Sequence, residues 1–257
     1  MPRPKIFPPS GQTWKGYRRR MAEKIIGILG GMGPEATRDL FDKIINETHA
    51  VRDQDHLRII IDNNPKVPDR TRAIIGDGES PVPEMAASAN LLARAGADFI
   101  VIPCISAHFF LDSLQRESDI PILSAFEAVS EHIVTHHPDV DAVGLLATTG
   151  TVQGGRFQEV LSAHGIQSGI PGAEDQAIVM DIIYRVKAQG ADQARSRAKA
   201  ELTRVSRHLI ESGAKGIVAG CTELPLVLES RDLPVPLFDP LTILARAAVR
   251  RARPVAA

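Results

Sequence analysis

The chain repeats itself at a fixed spacing, and this limits what it can fold into more than any other feature. Gly96-Ala97-x-x-Ile100-Val101-x-x-Cys104 returns as Gly213-Ala214-x-x-Ile217-Val218-x-x-Cys221, a shift of 117 residues. The same shift of 117 carries Gly27-Ile28-Leu29-x-x-x-Gly33 onto Gly144-Leu145-Leu146-x-x-x-Gly150. A third pair, Ile120-Pro121-Ile122 and Val235-Pro236-Leu237, is matched at 115. Separated segments that share one offset mark a duplicated half, and two such halves are expected to pack about an approximate two-fold axis.

Within each half, short apolar runs alternate with amphipathic stretches. Strands are expected at Lys24–Leu29, Leu57–Asp62, Phe99–Ile102, Ile122–Ser124, Ala142–Leu146, Gly216–Ala219 and Leu237–Asp239. Helices are expected at Pro34–Thr48, Val82–Ala95, Phe126–Thr135, Arg156–His164 and Ala194–Ser212. This alternation predicts an α/β protein whose parallel sheets are buried on both faces. Residues 1–22 are rich in Pro, Gly and basic residues without periodicity and are expected to be a disordered tail, native or a remnant. Arg18–Arg20 invite a twin-arginine export reading, but the apolar run after them is short and enters a Gly-rich turn, so it reads as the first strand. The expected location is cytoplasmic.

A formal net charge of -1 gives no reason to expect nucleic acid or an anionic membrane as partner. No apolar run reaches the roughly 18 residues that span a bilayer. Two cysteines are present. In a reducing compartment a disulfide is disfavoured, and an arbitrary cysteine is best read as a small core residue. The repeat changes that reading. It puts both at the C-terminal ends of equivalent strands, where open α/β sheets bind ligands, and the pseudo-symmetry brings them to one cleft.

Four motifs surround that cleft. Gly31-x-Gly33-x-x-Ala36 follows a strand and opens a helix, as in a dinucleotide fingerprint, with Asp62 a candidate ribose acid. The same turn would also serve a substrate carboxylate, because its N–H groups form an anion nest. Asp62-Asn63-Asn64-Pro65-Lys66-Val67-Pro68-Asp69-Arg70-Thr71 is a structured loop, since its prolines forbid a regular helix. Its Arg70 offers a bidentate fork, although an isolated arginine there would more often pair with Asp69. The 117 shift takes Arg70 to Lys187, so each half supplies a cation. Ile102-Pro103-Cys104-Ile105-Ser106-Ala107-His108 and Ala219-Gly220-Cys221-Thr222-Glu223-Leu224-Pro225 put each cysteine at a strand-to-helix junction, where a helix dipole lowers a thiol pKa. Ser106 and Thr222 add hydroxyls, His108 either polarises Cys104 or is a cap or core residue, and Glu223 orients an ammonium or a loop. Neither cysteine has metal-type spacing, so no metal is expected. The remaining histidines have no companion spacing.

Together these motifs resemble the cofactor-independent aspartate/glutamate racemase family, its aspartate racemase branch most closely. The resemblance rests on GILGGMGPEAT, NNPKVPDRT, ADFIVIPC with AH after it, LLATTGT and IVAGCTELP, and runs from about Glu23 to the C-terminus. It implies two Rossmann-like domains (23–126 with 231–257, and 127–230) around an active site, a homodimer, a small amino-acid substrate and no cofactor. It implies Cys104 and Cys221 as catalytic residues, Arg70 and Lys187 on the substrate's side-chain carboxylate, and Thr222 on the α-carboxylate. Met32, Gly33, Ser106 and Glu223 complete the substrate-binding set, with Asn64, Asp69, His108 and Thr148 supporting. The family usually has Asn-Thr after the first cysteine. Here Ile105 and Ser106 stand there, and loss of an amide-substrate bond would cost about 1.5–3 kcal/mol.

The expected reaction is two-base racemisation: one thiolate takes the α-hydrogen and the opposite thiol returns a proton, while backbone N–H groups of the Gly30–Gly33 turn and the cysteine junctions stabilise the carboxylate charge. Alternatives are a hydantoin racemase, a cis–trans isomerase or a decarboxylase of the same superfamily, a nicotinamide-dependent oxidoreductase, and a non-catalytic amino-acid sensor.

Overall fold

The structure, a computed structural model, describes residues 23–189 and 191–253. The expected tail, 1–22, lies outside the described residues. The first half contains β1 (Ile26–Gly30), α1 (Pro34–Glu47), β2 (Ile59–Asn63), α2 (Arg70–Ile75), α3 (Val82–Arg94), β3 (Phe99–Val101) and α4 (Leu111–Glu117). After α5 (Ala125–His136) come β4 (Ala142–Ala147), α6 (Thr149–Gly154), α7 (Arg156–Ala163), β5 (Gln167–Gly169), α8 (Ala173–Gln189), α9 (Ala191–Glu211), β6 (Ile217–Gly220), β7 (Leu237–Phe238) and α10 (Pro240–Ala252). The strands form two parallel sheets, ordered β2-β1-β3 and β5-β4-β6-β7.

The repeat is visible in the registers. Gly27 pairs with Ile100 in one sheet, and Gly144 with Ile217 in the other. Ile122 bridges Ile100 as Leu237 pairs with Ile217. The repeated glycines have local causes. Gly96 and Gly213 sit at φ 96° and 106°, and the N–H after each returns to Leu92 and Leu209. That is a left-handed glycine stop with a six-to-one hydrogen bond. Gly27 and Gly144 let those same leucines, on α3 and α9, lie close on the sheets: a Cβ would stand 3.4 Å from Leu92 Cβ and 2.9 Å from Leu209 Cβ. Each unit therefore turns a helix end into a strand and delivers a cysteine at a fixed distance beyond it.

Alternate strand residues face different layers. Ile28, Val101, Leu145 and Val218 point into a core shared by the halves and built with α5, α7 and α10. Ile100 packs with Met85 and Leu92 of α3, and Ile217 with Val179 of α8 and Val205 of α9. At about 25 cal/mol per Å² of apolar area, burial on both faces is the main stabilising contribution. The division between halves differs from that expected at 230: β7 belongs to the second sheet, and only α10 returns to pack on α1 and α5. Asp239 marks this return, since its carboxylate accepts the Leu241 N–H while Pro240 fixes the first helical residue.

Candidate active site

Each thiol comes closely after its strand. Cys104 caps a short 3-10 helix, Ile105–Phe110, and its carbonyl accepts the Ala107 N–H; Cys221 enters a turn in which its carbonyl accepts the Leu224 N–H. Both are free cysteines, 6% exposed. The expectation that a helix dipole lowers both thiol pKa values fails at Cys221, because turns and not a helix come after it. Burial, and then the Glu223 charge, pushes this thiol well above its ordinary value, against the pull of Lys187.

Glu223 is the polar centre of the second half. Its Oε2 accepts from the Cys221 thiol at 2.9 Å and the Thr222 hydroxyl at 3.1 Å, and its Oε1 lies 3.8 Å from Lys187 Nζ. Glu223 is buried, and Lys187 projects from the last turn of α8. Burial alone would lower the Lys187 pKa, but Glu223, Cys221 and Cys104 more than offset it, with Arg70 opposing them.

Arg70 begins α2. Asp69 does not pair with it: the Asp69 carboxylate caps the helix by accepting the Arg72 N–H at 2.9 Å. Arg70 Nη1 donates to the carbonyls of Val67 (3.0 Å) and Pro68 (2.8 Å), while its Nε is buried without a partner. An orphaned buried donor costs about 1–3 kcal/mol, and an incoming anion would remove that cost. Gly150, the repeat of Gly33, would place a Cβ 2.8 Å from Thr71 Cα, so its lack of a side chain lets α2 dock on α6.

The glycine turn is more occupied than expected. The Gly31 N–H donates to Thr37 Oγ1 at 2.8 Å, so it is unavailable to a substrate. At φ 95°, Gly31 would bring a Cβ within 2.3 Å of the Asn64 backbone, so the space above this glycine is filled by the loop after β2. Gly33 faces open space, and Met32 is buried in the same cluster as Cys104. Asn64 bridges Glu84 and the Lys66 N–H. Thr148 caps α6 through the Thr151 N–H. Thr37, which sequence reasoning passes over, sits within the GPEAT motif itself.

His108 does not polarise Cys104. Its Nε2 lies 3.0 Å from the Ile102 carbonyl and its Nδ1 accepts the Ala125 N–H at 3.2 Å, which together fix the Nε2-protonated tautomer. Burial holds its pKa at about 4, despite the opposing bond to Ile102. It ties the cysteine loop to α5. Cys104 has Ser106 Oγ at 4.0 Å. Ile105, expected at the substrate, is instead buried in the core between the halves. Among the described residues no group of three His, Cys, Asp or Glu is arranged to hold a metal ion, and no helix is long and apolar enough to cross a membrane.

Comparison with known proteins agrees with this architecture. The Asp/Glu/hydantoin racemase family model matches residues 29–248. The chain is 30% identical over 230 residues to the broad specificity amino-acid racemase RacX of Bacillus subtilis, covering 88% of this chain and 96% of that one. It is similar to the aspartate racemase of Picrophilus torridus, with 30% identity, a TM-score of 0.77, and coverage of 89% and 94% of the two chains. An aspartate racemase homologue from Pyrococcus horikoshii is 27% identical at a TM-score of 0.73, covering 90% and 99%. Two parallel α/β halves, a buried thiol at the end of an equivalent strand in each, and a match over most of the sequence lead to one conclusion: the chain belongs to the Asp/Glu/hydantoin racemase family.

Proposed function

We propose that this chain is a cofactor-independent amino-acid racemase of the aspartate/glutamate type, with Cys104 and Cys221 on opposite faces of the substrate α-carbon. The observation that carries the reading is a buried free thiol just beyond the equivalent strand of each half, Cys104 after β3 and Cys221 after β6. One thiolate removes the α-hydrogen, charge moves onto the α-carboxylate as an enediolate, and the opposite thiol delivers a proton. Thr222, Ser106 and the open amino end of α1 at Gly33 are the groups available to that carboxylate. General acid–base transfer contributes about 10²–10⁴-fold, so fixed dipoles in a buried site carry most of the acceleration.

An acidic side chain suits the two cations. Arg70 keeps a buried donor without a partner, and the Lys187 ammonium lies at the loose distance of 3.8 Å from Glu223. The similarity to a broad specificity racemase makes a wider substrate range the second reading. A nicotinamide-dependent reaction fits less well, because the Asn64 backbone fills the space above Gly31. The homodimer implied by the resemblance and the cytoplasmic location expected from the N-terminal sequence belong to this proposal as well; sedimentation of the purified chain tests the former.

The deciding experiment incubates the protein in D₂O with L-aspartate, L-glutamate and a panel of neutral and basic amino acids, with no cofactor added. Deuteration at Cα with loss of optical activity is expected, fastest for an acidic amino acid. No exchange with any of them sinks the racemase reading, and saturable binding without exchange identifies a sensor.

A further inference from the structure

A racemase must restore its proton donor after each turnover, and the two thiols differ in how they reach solvent. Cys221 donates to Glu223 Oε2 at 2.9 Å. Glu223 and Thr222 in turn line a crevice of about 90 Å³ that runs between the halves, bordered by Glu35, Ala36, Arg38, Asp39 and Asp42 of α1 and by Leu226. Because a water needs roughly 10–15 Å³ of such space, this crevice has room for several beside polar partners. On the other side, among the described residues Cys104 has only the Ser106 hydroxyl, at 4.0 Å, as a hydrogen-bonding neighbour. Both nitrogens of nearby His108 are committed to Ile102 and Ala125. The surrounding cluster is apolar, with Leu29, Met32, Val67 and Ala107.

We infer that Glu223 is a proton relay dedicated to Cys221, connecting that thiol to solvent through the crevice while substrate still occupies the cleft. The step is a proton transfer in two parts. The Cys221 proton moves to the Glu223 carboxylate, leaving a thiolate, and the Glu223 carboxyl then releases a proton to water in the crevice; recharging runs in reverse. Lys187, beside Oε1, limits the build-up of charge when thiolate and carboxylate coexist. Cys104 has no such route and exchanges only when the cleft is open. The stereochemical outcome is asymmetric at the level of isotope. A hydrogen taken by Cys221 is lost to solvent before it can return, and one taken by Cys104 is handed back.

This inference rests on the racemase reading, and its test separates the two. With an amino acid that racemises, each pure enantiomer is incubated in D₂O and the unreacted pool is analysed for Cα deuterium at low conversion. The expected result is deuterium in the unreacted pool of the enantiomer that Cys221 deprotonates, and protium retained in the other. Glu223→Gln should lose this difference, with both pools keeping protium. Glu223→Asp should retain part of it, which an effect on folding alone would not produce. Equal deuteration of the two pools in the wild-type protein overturns the relay while leaving racemisation intact, and so does an unchanged difference in Glu223→Gln. Absence of exchange with every amino acid overturns both readings together.

Discussion

The two halves of this molecule share a frame and differ in the residues that fill it. The frame is a helix stopped by a left-handed glycine, a buried strand, and a cysteine. It recurs with the same registers and the same backbone hydrogen bonds at Gly96–Cys104 and Gly213–Cys221. The residues just beyond each cysteine are different. Glu223 brings a carboxylate to one thiol and takes a second hydrogen bond from the Thr222 hydroxyl, whereas the equivalents of these two residues are the core residue Ile105 and Ser106, whose hydroxyl lies 4.0 Å from Cys104. A duplicated frame secures the placing of two thiols; divergence of the next two residues makes them chemically unlike. The glycine turns diverge too, since Gly33 faces open space while Gly150 is covered by Thr71 of the other half.

The largest test of this comparison removes one thiol at a time. Cys104→Ser and Cys221→Ser should each lower racemisation by about 10²–10⁴-fold, because a serine hydroxyl is far too weak an acid to replace either thiol. If the thiols serve opposite faces, each variant keeps slow α-hydrogen exchange with one enantiomer only, and the two variants retain opposite ones. Deuterium incorporation into separate D and L samples checks this. Exchange of the same enantiomer by both variants, or wild-type turnover in either, would break the opposition of the halves.

A smaller asymmetry is electrostatic. His108 belongs to the first half alone; the equivalent position in the second is Pro225. Burial keeps the folded His108 pKa near 4, below its ordinary 6.5, so folding favours the neutral ring. The stability this ring supplies is complete above pH 6.5 and declines as the pH falls toward 4, by about 3 kcal/mol over that interval. Denaturant unfolding between about pH 7 and 4 should therefore show a loss that His108→Gln reduces, since glutamine can bond both partners without titrating. His132 is also held near 4, by burial and then by His136, His137, Arg246 and Arg250, and its share survives the substitution. An identical pH dependence in the variant would remove His108 from the account.

Much of the frame is legible in the sequence because glycine and cysteine report backbone constraints directly. The offset between Gly96 and Gly213 predicts equivalent strands, and the strands are equivalent. β5 escapes notice because Gln167-Ser168-Gly169 is a short edge strand without apolar alternation. α2 is hidden behind Pro65 and Pro68, which stop just before its Asp69 cap. At the site, residue type is a better guide than direction. Glu223 and Lys187 are identifiable as polar groups near a thiol, but no pattern indicates that the carboxylate accepts a hydrogen bond from the Cys221 thiol. Ile105 shows the same limit. It reads as a lost substrate contact next to a catalytic residue, yet the tight 3-10 turn after Cys104 sends its side chain into the core. Thr37 likewise consumes the N–H of Gly31, which the motif alone offers to an anion.

The smallest expected effect concerns the part of the frame that is shared. Gly27 and Gly144 occupy the same position in their halves but have different clearances. A Cβ at Gly144 would stand 2.8 Å from Ile217 Cδ1 and 2.9 Å from Leu209 Cβ, the latter fixed to the backbone of α9. At Gly27 the nearest atoms are Ala97 Cβ at 3.0 Å, the Phe99 carbonyl oxygen at 3.3 Å and, on the helix, Leu92 Cβ at 3.4 Å, none under 3.0 Å. Alanine restricts the unfolded chain and thereby stabilises by about 0.4–1 kcal/mol, whereas overpacking costs about 1–3 kcal/mol. At Gly27 the two nearly cancel, and Gly27→Ala should stay within about 1 kcal/mol of the parent. At Gly144 the overpacking wins, and Gly144→Ala should lose about 1–2 kcal/mol, read as a lower denaturation midpoint at unchanged slope. Equal losses would mean that the halves are packed as symmetrically as they are threaded. A greater loss at Gly27 would mean that the first sheet, with its three strands, is the less yielding of the two.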